Sequence, residues 1–212
     1  MIALIDYGAG NLTSVRKGFA AVGAEIYAPV TPNDLARASG IIVPGVGNFA
    51  ATAALQGAWS ETIRSAVAGG APLLGICLGL QWLFEGSDEA PAVVGLGAIK
   101  GKCSRLPQND GLKVPHVGWN SLHVPHPSRL LDGVPEDAQV YFTHSYAAPV
   151  TKESAATCEH GAVFAAAIES DKVFGVQFHP EKSSAPGLRI LHNFVGITRE
   201  ADHALKAAHR MP

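Results

Sequence analysis

Residues 1–5 form a short apolar run that meets Asp6 and is bounded by Gly8 and Gly10, after which Leu12, Val15, Phe19 and Val22 recur at helical spacing. Strand, glycine turn and helix make the opening unit of an α/β fold. The same alternation predicts strands over 25–28, 40–43 and 72–76, a mostly helical stretch over 52–68, and a helix over 78–84. Short apolar strands alternating with helices predict a mostly parallel central sheet flanked by helices on both faces. After Glu85 glycine and proline become frequent, and strand-like pieces lie near 114–117, 139–143, 163–168 and 173–178. They predict an additional, partly antiparallel region in the second half. A helix over 185–197 ends the main body. Residues 200–210 either continue it or add another, because Ala201, Leu205 and Ala208 fall on one face. Without repeat, linker or low-complexity segment, the chain reads as one domain over 1–197 with an extension over 198–212 that has no assigned role.

Composition narrows the function classes. The 212 residues are 47% hydrophobic and 16% charged, with a formal net charge of -2, which gives no general affinity for phosphate backbones. Residues 65–84 carry no charge, but Gly69, Gly70 and Pro72 interrupt them and Gln81 sits inside, so a turn, a buried strand and a helix start are expected, not a membrane span. The amino-terminal run has no basic leader and is expected to be a buried strand. Cys77, Cys103 and Cys158 are odd in number and irregularly spaced, which suits neither a disulfide framework nor a zinc site. A cytoplasmic protein without metal or cofactor is the expectation.

In Gly75-Ile76-Cys77-Leu78-Gly79 the cysteine follows a predicted strand and precedes a predicted helix, the context of a nucleophile elbow. Glycines free the tight turn of side chains, and the helix start aims N–H groups and a positive dipole end at the sulfur. A free thiol titrates at roughly 8.5, so it needs such help or a nearby imidazole to act as a nucleophile at neutral pH. The plainer reading is a small buried core cysteine.

The segment Gly175-Val176-Gln177-Phe178-His179-Pro180-Glu181 places a histidine just after an alternating apolar strand, with a carboxylate two positions on. Such an imidazole can take the thiol proton and return it to a leaving amine while the carboxylate fixes its tautomer. Of the nine histidines, His116 and His144 adjoin distinctive segments, but neither is followed by a carboxylate at that interval. His179 is therefore the expected base.

Together, Gly-Ile-Cys-Leu-Gly with Gln81 and a distal His-Pro-Glu resemble the triad class of glutamine amidotransferase domains. Within that class, residues 6–12 (Asp-Tyr-Gly-Ala-Gly-Asn-Leu), 44–47 (Pro-Gly-Val-Gly), 115–120 (Pro-His-Val-Gly-Trp-Asn) and 179–183 (His-Pro-Glu-Lys-Ser) are similar to the glutaminase subunits of imidazole glycerol phosphate synthase. The resemblance runs from Met1 to about Phe194. It implies a glutaminase for histidine biosynthesis that forms a heterodimer with a cyclase subunit of (β/α)-barrel fold and passes it ammonia. Carried over residue by residue, Cys77 attacks the carboxamide of L-glutamine, His179 is general base and acid, and Glu181 orients it. The resemblance assigns the oxyanion hole to the backbone at Val46, Gly47 and Leu78, and substrate contacts to Gln81, Ser145 and Tyr146. It assigns the partner interface to Asn11, Trp119 and Lys182. Each of these three has a plainer reading: helix N-cap, core aromatic and solvated cation respectively.

The chain departs from the family pattern at Leu80 and Val117, where methionine is common, and at Asn48, where alanine is common. The first two are roughly volume-conserving apolar swaps. Asn48 adjoins the proposed oxyanion strand and bears on its conformation. Three other readings compete: a glutaminase serving a different synthase, a non-catalytic binding subunit on the same fold, and an ester hydrolase. Residues 44–47 and 118–120 speak against the first, and an intact Cys77, His179 and Glu181 against the second. The third requires an acidic partner before its histidine in chain order.

Overall fold

The computed structural model describes residues 1–108 and 112–208. Its first part follows the predicted alternation: β1 (Ile2–Leu4), α1 (Leu12–Ala21), β2 (Ile26–Tyr27), β3 (Gly40–Val43), α2 (Ala58–Ala68), β4 (Leu73–Ile76) and α3 (Leu78–Leu83). Asn11 caps α1, its side-chain oxygen accepting the Ser14 N–H at 3.1 Å, which satisfies one of the free donors at that helix start. The stretch expected as one helix over 52–68 divides into a 3₁₀ segment, Phe49–Leu55, and α2, because Gly57 turns the chain at φ +67° between them.

The second part holds β5 (Gly86–Ser87), β6 (Lys102–Arg105), β7 (His116–Ser121), β8 (Gln139–His144), β9 (Tyr146–Ala147), β10 (Ser154–Glu159), β11 (Val163–Ser170), β12 (Val173–Val176) and α4 (Ser184–Ala208). β7 starts later than the sequence pattern suggests, since Pro115 has no N–H to give a ladder. β12 stops at Val176 because the chain then leaves the sheet, and the His179 N–H goes to the Tyr141 carbonyl of β8. β10 was not expected at all: its small residues show no apolar alternation.

The main sheet has the order β10-β11-β12-β4-β3-β1-β2, parallel from β12 to β2 and antiparallel at β10 and β11. Alternate residues bury on opposite faces. Ile2, Leu4, Ile42, Leu74, Ile76, Phe174 and Val176 pack with Phe19 of α1 and Phe194 of α4, whereas Ala3, Ile5, Ile41, Val43 and Leu73 pack with Ile63 of α2 and Leu80 of α3. Burial on both faces explains why these strands read as continuous apolar runs. Antiparallel β7 and β8 form a separate ribbon, and β5, β6 and β9 a third, small sheet.

α4 is one continuous helix through the position where the main body was expected to end. Its distal part reaches the turn after α2, with the Leu205 side chain over Gly70. His209 and Arg210 of the expected tail helix lie outside the described residues. No described helix is long and apolar enough to cross a membrane.

Candidate active site

The parallel pairing of β4 with β12 builds the site. Ile76 faces Val176 in register, and the Cys77 N–H donates to the Val176 carbonyl at 2.8 Å, so residue 77 and residues 177–179 leave adjacent strand ends together. Cys77 sits at φ 52°, ψ -104°, a backbone that non-glycine residues seldom adopt. The two expected glycines are sterically required. A Cβ on Gly75 would come within 2.5 Å of the Gly79 carbonyl oxygen, and one on Gly79 would collide with the Val43 carbonyl. The helix behind the turn, α3, has only six residues, so the dipole help expected from it is small.

His179 follows Phe178 into the interior and is 2% exposed. Its Nδ1 is 2.9 Å from Glu181 Oε1, both side chains being almost fully buried. Burial disfavours the imidazolium, but the Cys77 sulfur and the Glu181 carboxylate beside it outweigh that and push the pKa up to about 10. With Nδ1 engaged by Glu181, Nε2 has no hydrogen-bond partner among the described residues other than the neighbouring thiol. The structure thus brings Cys77, His179 and Glu181 together. Burial pushes the Cys103 and Cys158 thiols well above their ordinary range, which leaves them inert.

A cavity of about 210 Å³ opens onto Cys77 and is lined by Gly47, Leu78, Gln81, Ser145 and Tyr146, five residues expected from the sequence. Glu89, Pro115, Thr143 and His144 line it too and were not expected. Glu89 is the one carboxylate among these lining residues, and its Oε2 accepts the Phe49 N–H at 2.7 Å. Gln81 is buried, its Nε2 donating to the Tyr146 carbonyl at 2.7 Å and to Gln177 Oε1 at 3.2 Å.

Val46 lies elsewhere, on a small cavity with His179 and Glu181. Between them, the Gly45 carbonyl accepts the Leu78 N–H at 3.3 Å, which commits one of the expected oxyanion donors to the chain's own backbone. Gly47 holds φ +101°, and Asn48 caps the following 3₁₀ segment by accepting the Ala50 N–H at 2.8 Å. Tyr7, which the sequence pattern did not single out, stands over this segment. Its buried hydroxyl has no hydrogen-bond partner among the described residues, and a Cβ on Gly45 would strike it. Burial and then the charge of Cys77 raise its pKa.

Asn11, Trp119 and Lys182 are all exposed or half-exposed. Trp119, 51% exposed, packs edge-on against the Tyr141 ring at 6.1 Å between centroids, and Lys182 Nζ lies 5.8 Å from the centroid of that ring. Val117 and Val46 are exposed as well. His116 and His144 are buried and in ring contact within the β7–β8 ribbon; desolvation is the main cause holding their pKa down, to about 4 and about 3.

Residues 3–197 match the model of the family described as glutamine amidotransferase class-I. An imidazole glycerol phosphate synthase subunit HisH from Moorella thermoacetica is 45% identical over 207 residues, covering 96% of this chain and 98% of that one. Another from Methanothermobacter thermautotrophicus is 46% identical over 200 residues, covering 94% and 100%. Among solved structures, one described as a glutamine amidotransferase superposes with TM-score 0.73 at 18% identity over 94% of this chain and all of that one. A chain of PurLQS from Thermotoga maritima reaches 0.71 at 18% identity over 92% of this chain and 97% of its own length. At that identity these two support the fold alone. The chain belongs to the class-I glutamine amidotransferases, in the family of the imidazole glycerol phosphate synthase HisH subunits.

Proposed function

We propose that this chain hydrolyses L-glutamine through Cys77 and delivers the ammonia to a cyclase subunit, as the glutaminase half of a cytoplasmic heterodimer in histidine biosynthesis. The observation that carries the reading is the division of labour on His179, whose Nδ1 is held by Glu181 while its Nε2 is left for the Cys77 thiol. The Cys77 sulfur, its proton already held on His179 Nε2, attacks the carboxamide carbon. The tetrahedral intermediate collapses when His179 returns that proton to the amide nitrogen, which leaves as ammonia. The resulting glutamyl thioester is hydrolysed by a water that His179 deprotonates, releasing glutamate and regenerating the thiol. The Glu89 carboxylate at the cavity offers a partner for the substrate's ammonium group, and the backbone of Ser145 and Tyr146 supports its amino-acid end.

The oxyanion formed in this sequence needs backbone donors, and losing one donor of that kind costs roughly 3 kcal/mol of transition-state stabilisation. Since the Leu78 N–H is bonded to the Gly45 carbonyl, the reading includes slow turnover by the chain alone. Docking of the partner on the exposed face of Asn11, Val46, Trp119 and Lys182 then frees the donors at Val46, Gly47 and Leu78. Both relatives named above are called subunits of the synthase, which supports assembly with a second component. A cyclase of (β/α)-barrel fold is the partner, its products being imidazole glycerol phosphate and aminoimidazole carboxamide ribotide. Residues 1–197 form the amidotransferase unit and 198–212 an extension.

The test is a coupled assay. Glutamate release by the purified chain should be slow and should rise strongly when the cyclase and its nucleotide ligand are added. Cys77→Ala should abolish glutamine-dependent product formation and leave ammonia-dependent formation intact. Unchanged turnover on adding the cyclase, or equal loss of both activities, would sink the assignment.

A further inference from the structure

Gln177 is fully buried, in a stretch whose other side chains are apolar. Phe174, Val176 and Phe178 point into the core between the sheet and helices α1 and α4, while Gln177 points to the opposite face, where Gln81 of α3 meets it. Its Nε2 donates to the Cys77 sulfur at 3.6 Å. The acceptor that sulfur finds for its own proton is the Thr143 carbonyl at 3.9 Å, which cannot stabilise an ionised sulfur. Besides His179, Gln177 is the hydrogen-bond donor on the nucleophile among the described residues.

An amide can be turned end for end, so the orientation of Gln177 must be imposed by its surroundings. The Tyr146 carbonyl is an acceptor only. It therefore fixes the Gln81 amide with its nitrogen inward, and that nitrogen's second hydrogen fixes Gln177 Oε1 toward Gln81. Gln177 Nε2 is left facing the sulfur. The same Tyr146 carbonyl is held from the other side by His144 Nδ1 at 3.0 Å. Because Nδ1 must then carry the proton, neutral His144 accepts through Nε2 from His116 Nδ1 at 3.2 Å, and His116 Nε2 accepts from Asn120 Nδ2 at 3.3 Å. Asn120 has no freedom to turn, since its oxygen takes the Ser121 N–H and its nitrogen also donates to the Glu159 carbonyl. Every polarity in the chain from Asn120 to Cys77 is determined.

We propose that Gln177 is a further catalytic residue, whose Nε2–H holds the ionised Cys77 sulfur in an orientation imposed by the Gln81 amide and the Tyr146 carbonyl. This rests on the reading of Cys77 as the nucleophile. The charged or titratable groups around the sulfur are His179, backed by Glu181 on its Nδ1, from the turn after β12, Tyr7 after β1, His144 at the end of β8, and Glu89 across the cavity.

The experiment reads the sulfur directly, without glutamine. Alkylation of Cys77 by iodoacetamide is followed by mass spectrometry in the intact chain at pH 7 and pH 10, with Cys77→Ala as the blank. Gln177→Met removes the donor at similar volume and should slow alkylation at pH 7 roughly tenfold, the size expected for one hydrogen bond to a charged group, while the rates at pH 10 converge. Equal rates at pH 7 in a natively folded Gln177→Met would overturn the proposal. Should that variant fail to fold, Gln81→Met, which releases the Gln177 amide, should show a smaller loss of the same kind, and no loss would overturn it. A failed coupled assay with slowed alkylation would condemn the glutaminase reading and leave the donor role standing.

Discussion

His179 Nδ1 and Glu181 Oε1 meet at 2.9 Å although a single residue separates them in the chain. Pro180 makes this possible. It opens the 3₁₀ turn Pro180–Lys182, which swings the carboxylate back beneath the imidazole, and the Ser183 hydroxyl, donating to the His179 carbonyl at 2.6 Å, closes the turn. The pair is local in sequence, buried in the fold, and aimed at a sulfur about a hundred residues away.

Glu181→Gln should therefore leave the fold intact and lower glutaminase turnover by roughly a thousandfold or more, because an amide neither fixes the imidazole tautomer nor stabilises the imidazolium. Steady-state kinetics of the complex with glutamine, beside unchanged circular dichroism, check this. A loss below tenfold would mean that the carboxylate is not the orienting group.

Two histidine environments give opposite pH dependences of stability. The pKa of His179 is raised from 6.5 to about 10, so the folded chain keeps a proton that the unfolded chain releases, and stability falls as pH rises through that window. His116 and His144 are depressed to about 4 and about 3, so the unfolded chain binds protons that the folded chain refuses, and stability falls as pH drops below about 6.5. Melting temperatures across pH should show that His179→Gln flattens the alkaline limb and His144→Asn the acid limb. Asn is chosen because its amide nitrogen mimics Nδ1.

Gly79→Ala should be among the most damaging small substitutions. A methyl there collides with the Val43 carbonyl, and overpacking of this kind costs about 1–3 kcal/mol or more. In a chain of this size a lowering of the melting temperature by several degrees is expected. A melting curve like that of the wild type would show that β3 and α3 are not in such close contact.

Glu89→Gln should raise the KM for glutamine about tenfold with little change in kcat, if the carboxylate meets the substrate ammonium. The reverse split, a fall in kcat at constant KM, would place Glu89 in the chemistry instead. Because Oε2 also accepts the Phe49 N–H, the comparison belongs at equal thermal stability.

Trp119→Ala removes a ring that is half exposed, so the isolated chain should keep its melting temperature. Association with the cyclase should weaken by about 2 kcal/mol or more, as for an aromatic anchor at the centre of an interface. Titration calorimetry with the purified cyclase decides it.

The parallel core and the cysteine turn were legible in the sequence because their signals are local. Apolar runs of strand length alternate with helical periods, Gly75 and Gly79 mark a turn with no room for side chains, and Pro180 keeps His179 and Glu181 two positions apart and facing. The small ladders at β5, β6, β9 and β10 left no such trace. Their residues are short or only partly apolar, and partners distant in the chain supply the pairing that makes them strands.

What the tertiary structure alone decided is which distant groups meet. The register of β4 against β12 sets Cys77 beside Gln177 and His179, and no periodicity within either strand specifies it. The β7–β8 ribbon places His144 and the Tyr146 carbonyl over the cavity, so a buried glutamine that reads in sequence as one polar break in an apolar strand is turned, donor first, toward the Cys77 sulfur. The sequence determined the chemistry available at Cys77. Long-range strand pairing determined which hydrogen bonds reach its sulfur, because a hydrogen bond depends on distance and direction, and those are fixed only when the strands are aligned.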